Sequence, residues 1–194
     1  MSLIVIIGAQ AVGKMTVGMS LEKKIDGKLL FNHQTIDLFA DYLGYGDATF
    51  KLSDQMRKGL FEEFVKSPSN NRTKTIIFTV LIDFNQEVDI EFLEEISDIF
   101  LNSRQKVYFV ELVADLKERL KRNAHEVRLK MKPSKRDLVF SEKELLDSVD
   151  NYRLESFDHE LQERFPNVKS MKINNTTLTP EEVCAKILEE FKIE

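Results

Sequence analysis

The sequence predicts an α/β sandwich, a mostly parallel β-sheet with helices on both faces, and three observations carry the prediction. Short apolar runs of strand length alternate with longer segments whose apolar residues recur at spacings of three and four. The opening run, Leu3 to Ile7, is apolar at every position, as a strand buried on both faces must be. The chain has 194 residues, 42% hydrophobic and 31% charged, which allows one compact domain, 1–194, with a sizeable core and a charged surface.

Five strands are expected: Leu3 to Ile7, Lys28 to Phe31, Thr75 to Ile82, Lys106 to Leu112 and Val168 to Ile173. Between them lie three helical stripes: Leu52, Met56, Leu60, Phe61, Phe64 and Val65; Phe92, Leu93, Ile96, Ile99 and Phe100; and Val183, Ile187, Leu188 and Phe191. Each stripe is expected to face the core. Seven glycines and four prolines, with no repeat or low-complexity stretch, leave no evident linker. Ser67 to Lys74 has the composition of a surface turn into the third strand.

Charge and cysteine usage narrow the function classes. Lys plus Arg is 28 against 33 Asp plus Glu, a net of −5, which argues against whole-surface attraction to nucleic acid or anionic membrane. No apolar run approaches the ~18 residues that span a bilayer. The N-terminal run is stopped by Gly8, follows no basic region and is shorter than a signal-peptide core, so a cytoplasmic protein is expected. The single Cys184 permits no internal disulfide and fits a reducing compartment. His33, His125 and His159 are too dispersed to suggest a shared zinc site. Nothing in the pattern specifies an oligomeric state.

Directly after the first strand comes Gly8-Ala9-Gln10-Ala11-Val12-Gly13-Lys14-Met15-Thr16, the Walker A spacing of Gly, four residues, then Gly-Lys. Gly8 lets the chain turn off the strand. The main chain of Ala11, Val12 and Gly13 can then aim N–H groups at phosphate oxygens, and the following helix presents the positive end of its dipole. Lys14 adds a point charge for the β and γ phosphates. The alternative is a chance Gly-Lys at an ordinary strand-to-helix turn, which the preceding strand argues against. Met15 departs from the pattern, because it stands where a Ser or Thr hydroxyl usually ligates Mg²⁺. A thioether is a poor ligand for a hard cation. Either the metal is held through water, Thr16 and a carboxylate elsewhere, or nucleotide binding depends only weakly on metal.

A second feature is a basic segment in an acidic protein. From Lys117 to Arg136 nine basic residues face two acidic ones, a local charge of +7 against −12 for the remainder. A mobile flap closing over ATP fits this, because Arg pairs with phosphate in bidentate fashion and stacks on bases. A solvated helix face and a local RNA patch are the alternatives.

With the loop, the alternation and the basic segment together, the whole chain resembles the small P-loop kinases of the shikimate kinase and adenylate kinase group. It is most similar to bacterial shikimate-kinase-like proteins carrying the phrase Ala-Val-Gly-Lys-Met-Thr-Val-Gly, here Ala11 to Gly18. The resemblance implies a three-layer sandwich with a five-stranded parallel sheet of order 2-3-1-4-5, and a lid at about 117–136. It also implies ATP and Mg²⁺ as cofactors and a small molecule as phosphoryl acceptor. Adenylate kinases, with Gly then Thr after the loop lysine, are a precedent for Met15-Thr16. Lys172 to Val183 is similar to the last strand, adenine-side loop and final helix of such kinases, with Thr177 on the adenine side. Locally, Thr179 suits an N-cap, Pro180 the first helical position and Glu182 a capping box. Arg122 and Arg128 correspond to the lid arginines that stack on adenine and reach the phosphates.

The acceptor side matches less closely. Shikimate kinases end strand two with Asp-x-Asp, whereas this chain reads Phe31-Asn32-His33-Gln34-Thr35-Ile36-Asp37, which removes any basis for naming shikimate. Asn32 and His33 are candidates to bind an acceptor, and His33 to position or deprotonate its hydroxyl with Asp37 one helical turn further on. The alternative is a capping Asn32 and a structural His33. Arg57 either binds an anionic substrate or is solvated. Asp83 follows an apolar run in the manner of a Walker B carboxylate and is the candidate to hold Mg²⁺ through water. The expected activity is transfer of the ATP γ-phosphoryl to a small-molecule acceptor. Its rivals are a nucleotide-binding regulatory protein without catalysis and, against the net acidity, an RNA-end kinase.

Overall fold

The structure, a computed structural model, describes residues 1–132 and 135–193. Five strands form a single parallel sheet: β1 (Ser2–Gly8), β2 (Gly27–Phe31), β3 (Thr75–Val80), β4 (Lys106–Val113) and β5 (Lys169–Asn174). Their order is β2-β3-β1-β4-β5, as the resemblance implies. The third strand ends two residues earlier than expected. The ladder runs out with Ile7 against Val80 and Phe31 against Thr79, and Ile82 stays buried without pairing.

β1 lies in the middle, and its uninterrupted apolar run is read by both layers. Leu3, Val5 and Ile7 face a cluster with Phe61 and Phe64 of α3 (Asp47–Lys66) and Ile90, Leu93, Ile96 and Phe100 of α4 (Glu87–Leu101). Ile4 and Ile6 face the other way, against Val17 and Leu21 of α1 (Lys14–Glu22) and Val183, Cys184, Ile187 and Phe191 of α9 (Pro180–Phe191). The two-residue alternation of a strand sends neighbours to opposite faces, so both sides must be covered. The fourth and last helices show the core stripes read from sequence. The cap of α9 also forms as expected: Thr179 Oγ1 accepts from the Glu182 amide and the Glu182 carboxylate accepts from the Thr179 amide.

The stripe assigned to the third helix is in part inverted. Phe61, Phe64 and Val65 pack inward, but Leu52, Met56 and Leu60 are 38%, 46% and 45% exposed. The face buried in the N-terminal half of α3 is Thr49, Ser53 and Arg57, spaced four apart. α2 (Asn32–Leu43) accounts for it. Ser53 Oγ donates to Thr35 Oγ1 at 2.6 Å, Arg57 Nε donates to the same oxygen at 2.8 Å, and Arg57 Nη2 donates to the Asn32 carbonyl at 3.0 Å. The helix turns toward the partner that satisfies its hydrogen bonds, and apolar residues are left outside.

Between β4 and β5 lie α5 (Leu116–Asn123), α6 (Glu126–Met131), α7 (Leu138–Asn151) and the short α8 (Glu160–Arg164). The expected lid, about 117–136, spans α5 and α6; its residues 133 and 134 lie outside the described residues.

Arg57→Leu should destabilise the fold by about 2–4 kcal/mol, since it removes the buried hydrogen bonds to Thr35 and the Asn32 carbonyl and the ion pair with Asp54. Met56→Gln, one residue away, should change stability by less than about 0.5 kcal/mol. Urea unfolding of both variants checks the inversion of α3.

Candidate functional site

The site is built where β1 ends. Gly8 has φ 149°, and a Cβ there would sit 2.4 Å from the Leu112 carbonyl oxygen of β4, so only glycine lets the loop leave the strand so close to its neighbour. Ala11 takes a left-handed φ of 59° and Gly13 one of 106°, which turns the loop back before α1 begins. The first helical bond runs from the Val17 amide to the Gly13 carbonyl at 3.0 Å, so the amides before it have no partner within the helix. This is the standard geometry of an anion site at a helix N-terminus.

Lys14 folds back over the loop: its Nζ donates to the carbonyls of Gly8 and Ala9, the latter at 2.8 Å. Helix α5 braces the same loop from above. Arg119 Nε donates to the Gln10 carbonyl at 2.9 Å and Arg122 Nη1 to the Val12 carbonyl at 3.1 Å. Arg122 Nη2 reaches the Asn175 and Thr176 carbonyls, and Asn175 Nδ2 donates to the Val12 carbonyl at 2.9 Å. The loop between β5 and α9 is thereby fastened to the loop that follows β1.

Beside these groups is a hollow of about 490 Å³, within the range of small-molecule sites. Its wall carries Ala11 to Thr16 of the loop with Lys121, Arg122, Arg128, Lys132 and Asn175. Among the described lining residues five are lysine or arginine and one, Glu118, is a carboxylate. Buried polar atoms without a hydrogen-bond partner cluster here too: Arg119 Nη2 and Arg128 Nε, and nearby His33 Nδ1 and Asn32 Oδ1. Burial and then the charges of Lys132, Arg128 and Arg119 hold the Lys14 ammonium well below its ordinary pKa. Lys132 is pushed down to about 7 by burial, with Arg128 and Lys135 adding repulsion. Cations that outnumber the carboxylates beside them favour the binding of an anion.

The structure places Ala11, Val12, Gly13, Lys14, Met15, Thr16, Arg122 and Arg128 on the wall of the hollow, with Gly8 at the end of β1. The acceptor candidates stand aside from the hollow's wall. Asn32 and His33 open α2. Gln34 Oε1 caps that helix by accepting the Phe31 amide at 2.8 Å, so Asn32 is not the cap. His33 is pushed down to about 2 by burial and by Lys132, Lys135, Arg128 and Lys14, so it is a neutral imidazole over the working pH range. Asp37 accepts a hydrogen bond from the Tyr45 hydroxyl at 3.0 Å, and burial raises its pKa.

Three expected residues are engaged elsewhere. Arg57 is 4% exposed and committed to Thr35, Asn32 and Asp54, so it is neither solvated nor open to a substrate. Asp83 is buried off the hollow's wall; its Oδ1 accepts the amides of Asn85 at 3.1 Å and Arg153 at 3.0 Å, which pins the segment after α7 to the end of β3. Thr177 is exposed and lines a separate depression with Met171 and Lys172; Asn175 and Leu178 take its place at the main hollow. Conversely, Arg119, Lys132 and Lys135 were noted only as parts of a basic run. Spacing identifies two of them: Arg119 lies three residues before Arg122 and Lys132 four after Arg128, each pair sharing one helical face.

No protein-family model and no curated protein sequence matches the chain. Solved structures match along nearly its full length. A protein of Chloroflexus aurantiacus assigned as a kinase is 14% identical at a TM-score of 0.61, covering 98% of this chain and 96% of that one. Shikimate kinase from Acinetobacter baumannii, solved with shikimate, is 18% identical at 0.55, covering 98% and 92%. A sugar kinase from Janibacter sp. is 14% identical at 0.54, covering 99% and 95%. The fold is that of the P-loop small-molecule kinases. No helix among the described residues is long and apolar enough to cross a membrane.

Lys132 gives a pH signature. Its proton affinity falls on folding, so its unfavourable effect is complete below about pH 7 and is relieved as pH rises toward the unfolded value of 10.5. Lys132→Met should therefore raise the melting temperature of the ligand-free protein more at pH 6 than at pH 9, as differential scanning fluorimetry at the two pH values would record.

Proposed function

We propose that the chain is a phosphotransferase that binds ATP on the phosphate loop and moves its γ-phosphoryl group to a hydroxyl of a small-molecule acceptor. The observation that carries this reading is the hollow at the end of β1, where Lys14, Arg122, Arg128 and Lys132 converge on one wall with unpartnered donors beside them. Enzymes of this kind act chiefly by positioning the reactants and stabilising charge on the transferred group, and this wall is suited to both. Lys14 leaves the Gly8 and Ala9 carbonyls for phosphate oxygens, while the loop amides hold the rest of the tail. Arg128 and Lys132 face the γ-phosphoryl from α6 and the residue after it. Arg122, fastened to Asn175 and Thr176, closes the side where the resemblance puts adenine.

The acceptor is assigned to the start of α2, beyond the carboxyl end of β2 and next to β3. Its hydroxyl oxygen forms the new bond to phosphorus as the bond to the ADP oxygen breaks. The displaced hydroxyl proton passes to His33 or to water. His33 and Asn32 each have an unpartnered polar atom that an acceptor could engage. His33 is a poor base while the cations around it are uncompensated, and it gains basicity when phosphate neutralises them. Mg²⁺, which the fold class implies, finds no assembled donor set among the described residues, so no step is assigned to it. A cytoplasmic setting accords with the one free, buried cysteine.

A nucleotide-binding regulatory protein without transfer activity is the second reading. Met15 at the metal-ligand position and the acceptor sequence Asn32-His33-Gln34 favour it.

ATP at about 100 times its dissociation constant should stabilise the fold by about 2.7 kcal/mol. Lys14→Ala should remove most of that gain, and an unchanged gain in calorimetry would contradict the role of Lys14. A coupled assay for ADP release over a panel of sugars, hydroxy acids and nucleosides separates the readings. Turnover with one acceptor class supports the kinase, and tight ATP binding with no turnover supports the regulator.

A further inference from the structure

Beside the loop, Met15 replaces the hydroxyl that would fix a divalent cation, each nearby carboxylate already accepts hydrogen bonds, and a surplus of positive charge stands where that cation would act. P-loop sites ordinarily hold Mg²⁺ with a hydroxyl on the residue after the loop lysine and with a carboxylate at the end of a neighbouring strand. The first position is Met15, whose soft thioether is 8% exposed and packs among Val12, Val17 and Leu21. Thr16 lies about 100° further round the helix, exposed on the wall of the hollow, so its hydroxyl does not stand where Met15 replaces the usual ligand.

The second position fares no better. Asp83 has its Oδ1 occupied by two amides, and its own amide donates to Asp89 Oδ2 at 2.7 Å. Glu111 of β4, in register with Ile7, is fully buried and accepts from the Ser156 amide at 2.8 Å and from the Ser156 hydroxyl. Glu118, the only carboxylate among the described lining residues, accepts from Arg122 Nε at 3.0 Å and pairs with Lys121.

On the positive side, Lys14, Lys121, Arg122, Arg128 and Lys132 against Glu118 give the described wall of the hollow a formal charge of +4 with every lysine protonated, the state that a bound polyanion favours. A nucleoside triphosphate without metal carries roughly four negative charges near neutral pH, and one Mg²⁺ would halve that. Arg119 Nη2 and Arg128 Nε are buried donors that lack acceptors. Phosphate oxygens supply acceptors, whereas a metal ion would compete for them.

Resting on the nucleotide reading above, we propose that this site takes its triphosphate as the metal-free polyanion, with lysines and arginines of α1, α5 and α6 and Lys132 beside them supplying the charge that Mg²⁺ supplies in related sites. The lowered proton affinity of Lys14 and Lys132 agrees with cations held ready for a ligand that brings all of its own negative charge. Cation and metal are alternatives here. Mg²⁺ in excess lowers the charge of the ligand without gaining a protein ligand in return.

The test is a fluorescence titration of the full chain with a methylanthraniloyl derivative of ATP, once in excess EDTA and once in excess MgCl₂ at matched ionic strength. The dissociation constant in EDTA is expected to equal or fall below that in MgCl₂. Binding about tenfold or more tighter in MgCl₂ overturns the proposal while leaving the nucleotide reading intact. Failure to bind in both buffers overturns the two together. Met15→Thr restores the missing hydroxyl and should gain tightening by Mg²⁺ that the parent chain lacks. A folded Met15→Thr protein still indifferent to Mg²⁺ overturns the part given to Met15.

Discussion

Mutual repulsion among the cations around the phosphate loop is the constraint on which the rest of the site depends. Burial lowers the proton affinity of Lys14 first, and Lys132, Arg128 and Arg119 are near enough to lower it further; in a partly dehydrated hollow each such pair is worth more than on the open surface. The fold tolerates this because other contacts over-determine the geometry. Arg119 and Arg122 are tied through Nε or Nη atoms to the Gln10 and Val12 carbonyls, so the charges of α5 cannot swing away from the loop. Lys14 is parked on the Gly8 and Ala9 carbonyls, the negative ends of the dipoles that surround it. A polyanion would relieve the repulsion without rearranging that frame.

The frame is the sheet. β1 is buried on both faces and flanked by β3 and β4, so the point at which the chain leaves it is rigidly placed. The contact of Gly8 with the Leu112 carbonyl leaves no room for a side chain, and the loop must turn at that residue. Near the ends of the neighbouring strands, buried acids do structural work. Asp83 and Glu111 bind the main chain of Arg153 and Ser156, which draws the segment after α7 across the sheet. A carboxylate whose lone pairs accept main-chain amides is an anchor, and it has fewer lone pairs left for a metal.

The inversion of α3 explains why the acceptor side was harder to read than the donor side. Leu52, Met56 and Leu60 form a sound helical stripe, and the rule that apolar faces turn inward fails because Thr35 and the Asn32 carbonyl lie on the neighbouring helix. Turning Ser53 and Arg57 away would give up their buried hydrogen bonds to those groups, which costs more than exposing three apolar side chains that are still half covered. Arg57 was legible as a charged residue on the right helix, but its commitment to α2 was not. The loop after β1 was legible because its geometry is local: glycines, lysine and strand occur in one stretch, with spacing that the backbone itself requires. Arg128 and Lys132 were half legible, since a four-residue spacing announces a shared face without saying what that face meets.

The sequence alone determined the sheet, the loop and the excess of cations that follows the fourth strand, because each rests on neighbours in the chain: strand alternation, glycine conformation and charge density. Tertiary structure decided which charges meet. It sent Arg119, Arg122, Arg128 and Lys132 to the loop, and it withdrew Arg57 and Asp83 into hydrogen bonds with segments 22 or more residues away. The physical reason is that a buried charge is stable only beside a partner, and the partner's position is a property of the folded packing that no local pattern records.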